Sequence, residues 1–129
     1  MKLLLDTHLL LWAAADDPAL PHEARVAIED VENTLFFSVA SIWEIVIKSA
    51  LGRDDFKIDA RVLRRNLLDA GYEELPIEAP HTFEVAQLPP LHRDPFDRVL
   101  IGQAMAEGIV LLTHDELIKQ YDIAPVRFV

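Results

Sequence analysis

Residues 108–115 read Gly108-Ile109-Val110-Leu111-Leu112-Thr113-His114-Asp115, and this stretch decides the fold class. A glycine entering a short run of β-branched and aliphatic residues reads as a buried strand, and a carboxylate follows the run by two residues. Working outward, Lys2 to Asp6 is a second short apolar run that ends in a carboxylate. Leu35 to Val39 is a β-prone run just after Asn33-Thr34. Glu74 to Ile77 is a weaker candidate, and Val126 to Val129 is placed to close a sheet. Between these runs, helical patterns cover about 7–15, 21–31, 39–51, 59–70, 80–88 and 95–107, with a short one from Asp115. The loop Pro89-Pro90-Leu91-His92-Arg93-Asp94-Pro95 cannot continue a helix, whereas Pro95 suits the first turn of the next.

Strands alternating with helices imply an α/β fold with a parallel sheet covered on both faces and joined by right-handed crossovers. The chain has 129 residues, 51% of them hydrophobic, which is enough for one compact domain spanning 1–129 and too apolar for disorder. Cysteine is absent, which excludes disulfide scaffolds, thiolate zinc sites and cysteine nucleophiles and suits a reducing cytoplasm. The opening Leu3-Leu4-Leu5 is cut by Asp6 and His8, so neither a signal peptide nor a membrane span is expected. A net charge of −10 argues against a broad basic footprint for nucleic acid, although bound cations can present positive potential to a phosphate on an acidic protein.

Ligands of such sheets bind beyond the carboxyl ends of the strands. Asp6 ends the first strand, and Asp115 follows the strand at 109–113. The helix at 95–107 feeds that strand and so begins at the same edge, with Asp97 in its first turn. Glu44 lies one to two turns into the helix that leaves the second strand there. Each has a plainer reading: Asp6 as a helix cap, Asp97 and Asp115 as first-turn carboxylates favoured by the helix dipole, and Glu44 as the partner of Lys48 in a surface pair. Glu44 resists that reading, because Ala40, Ile47 and Leu51 share its stripe and SVASIWEIVIKSAL is apolar nearly all round. Gathered carboxylates raise one another's pKa values unless a cation sits among them. Oxygen ligands without thiolate select Mg²⁺ or Mn²⁺, ions completed by substrate phosphate.

The chain resembles the PIN-domain ribonucleases and, among them, the VapC-like toxins of type II toxin–antitoxin pairs. The matching pieces are LLLDTHLLLW at 3–12, SVASIWEIVIKSALG at 38–52, HRDPFDRVLIGQAMAEG at 92–108 and LLTHD at 111–115. The resemblance implies a three-layer α/β/α sandwich with a central, mainly parallel sheet of four to five strands. It also implies a metal-binding quartet of Asp6, Glu44, Asp97 and Asp115. Asp6 and Asp97 would be the central ligands of Mg²⁺, with Mn²⁺ as a substitute, and Glu44 and Asp115 would act through water or orient the nucleophile. The activity implied is metal-assisted hydrolysis of RNA phosphodiesters. The partners implied are an RNA substrate, a cognate VapB-like antitoxin and a second copy in a homodimer.

Asp94 in the proline loop supports the ligands from behind or caps the helix. Thr7 and Thr113 flank the quartet and orient a carboxylate or a water, a helix-cap role being equally open to Thr7. His92, Arg93 and Arg98 surround the acidic helix start, to touch RNA phosphates or to balance the charge. His8 and His114 adjoin quartet residues but are not read as ligands, since neighbouring strand positions face opposite ways. His22 and His81 open helices and are read as structural. Trp12, Ile42, Trp43 and Val46 are read as core, although exposed parts of the first two helices or of 39–51 would suit a partner. Two other readings stand beside the nuclease. A response-regulator receiver would need adjacent acids near the first strand and a lysine after the fifth, and IAPVRFV has none. A catalytically silent member of the same fold is the other.

Overall fold

A computed structural model describes residues 1–122 and 124–129. Its strands are β1 (Lys2–Leu5), β2 (Thr34–Ser38), β3 (Glu73–Leu75), β4 (Val110–Thr113) and β5 (Val126–Phe128). The helices are α1 (Thr7–Ala14), α2 (His22–Glu29), α3 (Val39–Ala50), α4 (Ala60–Asp69), α5 (Ala79–Ala86), α6 (Pro95–Glu107) and α7 (Glu116–Lys119). Five strands form one sheet in the order β3-β2-β1-β4-β5, and every pairing is parallel. The α/β expectation therefore holds, with a wholly parallel sheet. From β1 the chain builds outward through β2 to β3, then returns to the other side of β1 for β4 and β5. The strand order reverses between β1 and β4, which is where a sheet of this kind opens a crevice at its carboxyl edge.

The period-2 alternation of the strands divides the core in two. Leu3 and Leu5 of β1 join Leu9, Leu10, Phe37, Ile45, Phe56 and Leu63 on one face. Leu4 points the other way, to Leu88, Leu100, Ile101, Ala104, Leu111 and Tyr121. Each element begins or ends where the local chemistry requires. Ser38 caps α3 by accepting the Ala40 N–H at 2.9 Å. Asp94 caps α6, Pro95 opens it, and Gly108 closes it in the left-handed conformation at φ 66°. Buried Gln103 of α6 accepts the Ser38 hydroxyl at 2.5 Å and donates to Pro76 O at 3.2 Å, fixing α6 against the ends of β2 and β3.

Three expectations change. Helix α3 is two-faced rather than apolar throughout: Trp43 is 55% exposed and Val46 44%, so neither is core, while Trp12 and Ile42 are half-buried. Leu51, expected on the stripe of Glu44, is exposed just beyond the helix end. A turn of 3-10 helix at Asp54–Phe56 was not legible as an element, yet it delivers buried Phe56 to the first core.

Candidate metal centre

β1 ends at Leu5, and Asp6 turns the chain into α1 as its N-cap. Its Oδ1 accepts the Leu9 N–H at 2.9 Å, and Oδ2 accepts the Thr113 hydroxyl at 2.5 Å and the His114 N–H at 3.3 Å. The capping reading of Asp6 is thus true, but only one oxygen is used for it. The other faces the end of β4 across the crevice. Burial raises the Asp6 pKa above the usual carboxylate value, and the bonds from Thr113, Leu9 and His114 act against the rise.

Glu44 is 2% exposed. Its Oε1 accepts the Thr7 hydroxyl at 2.6 Å, and its Oε2 meets Lys48 Nζ at 2.5 Å. The pair is not a surface pair: the Lys48 side chain is itself 17% exposed, lies over the Phe56 ring and reaches Asp94 Oδ2 at 3.9 Å. The apolar surroundings of α3 were the signal that this pair is buried. Thr7 stands inside α1 rather than at its cap, so its hydroxyl is free to orient Glu44, and it can accept the Ser41 hydroxyl at 2.9 Å.

Asp97 enters in the first turn of α6 with its backbone N–H aimed at Asp94 Oδ1 at 3.4 Å. Its Oδ2 lies 2.7 Å from His92 Nε2. The Asp94 N–H points to His92 Nδ1 at 3.4 Å. Burial, followed by the charges of Asp94, Glu44, Asp115 and Asp6, pushes the Asp97 pKa up to about 8. Asp115 caps α7 through its Oδ1, donates its N–H to Thr113 Oγ1 at 3.0 Å, and holds Oδ2 3.9 Å from His92 Nε2. His92, Asp97 and Asp115 each offer one ligand atom, and all three atoms lie within 4.8 Å of one another. His92 thus brings a ring nitrogen to the same point as two of the acids.

The basic residues divide. Arg93 is exposed in the loop ahead of α6. Arg98 turns inward, donating to the carbonyls of Pro89, His92 and Val85 and to the Tyr121 hydroxyl at 3.2–3.3 Å. It therefore ties the proline loop to the fold and does not project toward a phosphate. His81 is buried, accepts the Glu78 N–H at 2.9 Å and meets Glu107 at 2.8 Å, a structural role as expected, and His22 opens α2 at the surface. His8 and His114 line the crevice with Asp6, Trp12 and Asp115. Strand alternation does not apply to them, because Thr7 already starts a helix and His114 follows the end of β4.

A family model described as the PIN domain matches residues 3–124. No curated protein sequence matches the chain. Among solved structures, VapBC2 from Rickettsia felis, bound to a DNA fragment from their promoter, is similar with a TM-score of 0.72 and 17% identity, over 99% of this chain and 98% of that one. DNA-bound VapBC from Salmonella typhimurium gives 0.71 and 14% identity over 99% and 98% of the two chains. VapBC-5 from Mycobacterium tuberculosis, a member of the VapBC family of toxin-antitoxin systems, gives 0.65 and 18% over 99% and 97%. With the family match covering residues 3–124, and with them every residue of the acidic rim, the chain belongs to the PIN domain family.

Proposed function

We propose that the chain is a Mg²⁺- or Mn²⁺-dependent endoribonuclease that hydrolyses RNA phosphodiester bonds, acting as the VapC-like toxin of a type II toxin–antitoxin pair. The observation that carries this is the grouping of Asp97 with Asp115 and His92, their ligand atoms within 4.8 Å of one another, beside the further carboxylates of Asp6, Glu44 and Asp94. Such crowding is unfavourable in a structural cluster and is relieved by a hard divalent ion, for which carboxylate oxygens are the fitting donors. Bound there, the ion would polarise a scissile phosphate and lower the pKa of an attacking water.

The chain's own residues supply the rest. Asp6 and Asp97 would hold the ion, the Thr113 hydroxyl fixing the Asp6 carboxylate from behind. Glu44 and Asp115 would orient water, Glu44 being held from behind by Thr7 and Lys48. Asp94 and Thr7 position other groups rather than react. PIN family membership, with a complete set of acids, supports an active enzyme over a silent binding module, and leaves no place for the receiver reading.

The partners follow the same reading. The similar structures named VapBC support a VapB-like antitoxin as partner, and a net charge of −10 favours a basic peptide from it. Exposed Trp43 and Val46 on α3 offer an apolar face for a homodimer. No helix among the described residues is long and apolar enough to cross a membrane, and the absence of cysteine agrees with a cytoplasmic location. Cleavage of total cellular RNA with Mg²⁺ or Mn²⁺, by wild type and by Asp97→Asn purified alike, tests the proposal. Loss of cleavage by about 100-fold or more in the variant is expected. Equal rates would assign the activity to a contaminant and end the nuclease reading.

A further inference from the structure

We propose that the row of rings beside the acidic rim is a nucleobase-stacking subsite, taking an unpaired base of the RNA strand next to the scissile phosphate. The proposal rests on the nuclease reading above. His8 and Trp12 lie one turn apart on α1, their centroids 5.9 Å apart at 52°. Trp12 meets His114 edge-on at 5.9 Å, and His114 stacks on Phe128 at 5.3 Å and 22°. These rings come from α1, the end of β4 and β5, and core packing does not account for all of them: His8 and His114 are exposed.

Two cavities meet along the row. One, of about 150 Å³, is lined by Asp6, His8, Trp12, His114 and Asp115, so that its acidic wall belongs to the candidate metal centre and its other walls are rings. The second, of about 420 Å³, shares His8 and Trp12 and is walled beyond them by Asp17, Asp54, Asp55 and Lys57, with Asp54 paired to Lys57 at 3.0 Å and Asp55 to Arg53 at 2.9 Å. The carboxylate oxygens there can accept hydrogen bonds from the ring N–H and exocyclic amino groups of bases. The ring walls, and not a cluster of free cations, make a base the part of the strand that fits. Stacking on aromatic rings tolerates any base and is a usual means of holding single-stranded RNA.

The test measures binding of a short labelled single-stranded RNA of mixed sequence by fluorescence anisotropy, with Ca²⁺ replacing Mg²⁺. Trp12→Leu is expected to weaken binding roughly 10- to 100-fold, while Trp12→Phe stays close to wild type. Mn²⁺ affinity should be unchanged in both. Because Trp12 also touches the core, a second measurement leaves it in place. The chain has two tryptophans, and Trp43→Phe makes Trp12 the sole emitter, which RNA should quench. Unaltered RNA affinity in Trp12→Leu, or Trp12 emission unmoved by RNA that the protein binds and cleaves, overturns the subsite and leaves the nuclease standing. A wild type that neither binds nor cleaves RNA overturns the nuclease reading itself, and the subsite with it.

Discussion

Thr113 Oγ1 donates to Asp6 Oδ2 at 2.5 Å, joining the ends of β4 and β1 across 107 residues of chain. The same oxygen accepts the Asp115 N–H at 3.0 Å, so a single hydroxyl fixes two members of the acidic rim at the point where the strand order reverses. Thr113→Val keeps the shape and removes the donor. Groups of this kind behind metal-holding carboxylates are commonly worth about 10- to 100-fold in metal affinity. Mn²⁺ titration calorimetry should show a loss of that size for Thr113→Val and near-recovery for Thr113→Ser. An unchanged affinity for the valine variant would remove Thr113 from the site.

The raised pKa of Asp97 makes a signed prediction for stability. The folded chain keeps this proton until pH approaches about 8, whereas the ordinary value is 3.8. Between those values the folded state binds more protons than the unfolded one, so its stability is greatest at the acid end and falls as pH rises. Burial of Asp6 acts in the same direction. Without divalent metal, Asp97→Asn should therefore be more stable than wild type at pH 8, by as much as about 5 kcal/mol less what the His92 contact returns. The advantage should vanish near pH 4. Adding Mg²⁺ at pH 8 should stabilise wild type and leave the asparagine variant unmoved in urea titrations.

Lys48 supplies an ammonium to a crowded set of acids, pairing with Glu44 at 2.5 Å and approaching Asp94 at 3.9 Å. Because the pair is largely buried, removing one partner strands the other. Lys48→Met should cost about 2–4 kcal/mol in metal-free urea unfolding. Part of the loss should return on adding Mg²⁺, since a cation among the carboxylates can take over the balancing charge. Lys48→Arg, which keeps charge but not shape, should lose less.

What could be read from the chain and what could not divide along physical lines. Short apolar runs such as Leu3-Leu4-Leu5 and Val110-Leu111-Leu112 carry their own strand signal, and Asp94-Pro95 and Gly108 mark both ends of α6. Parallel strands joined by helices then leave few topologies, so the edge at which Asp6 and Asp115 emerge follows from local pattern. The sidedness of α3 does not. Apolar residues surround that helix in sequence, and only the tertiary arrangement decides that Ile45 is buried while Trp43 and Val46 are outside. Lys48 and His92 were legible as neighbours of acids. Their burial, and hence their weight, depends on Phe56 and Tyr121, which arrive from unrelated segments.

Gly102 holds α5 and α6 in close contact. A Cβ there would stand 2.6 Å from the His81 carbonyl oxygen and 2.8 Å from Val85 Cγ2, and the first of these is backbone that cannot rotate away. Gly102→Ala should destabilise the protein by about 1–3 kcal/mol through that overlap, despite the better helix propensity of alanine. The effect should appear in thermal melts, with RNA cleavage well below the transition little changed. A stabilised variant would contradict the packing.

His92 distinguishes two ways of serving the same site. Its Nε2 lies 2.7 Å from Asp97 and 3.9 Å from Asp115, and its backbone N–H is fixed by the Tyr121 hydroxyl at 2.9 Å. If the ring only steadies Asp97, its loss should weaken Mg²⁺ and Mn²⁺ alike. If the ring also donates nitrogen to the ion, the loss should fall on Mn²⁺, because imidazole suits transition metals and Mg²⁺ prefers oxygen. The grouping of His92 with Asp97 and Asp115 within 4.8 Å favours the second outcome. His92→Ala should accordingly raise the Mn²⁺ dissociation constant about tenfold and that of Mg²⁺ by no more than about threefold. Calorimetric titration of both ions into the same protein checks this, and a parallel loss for the two would confine His92 to holding Asp97 in place.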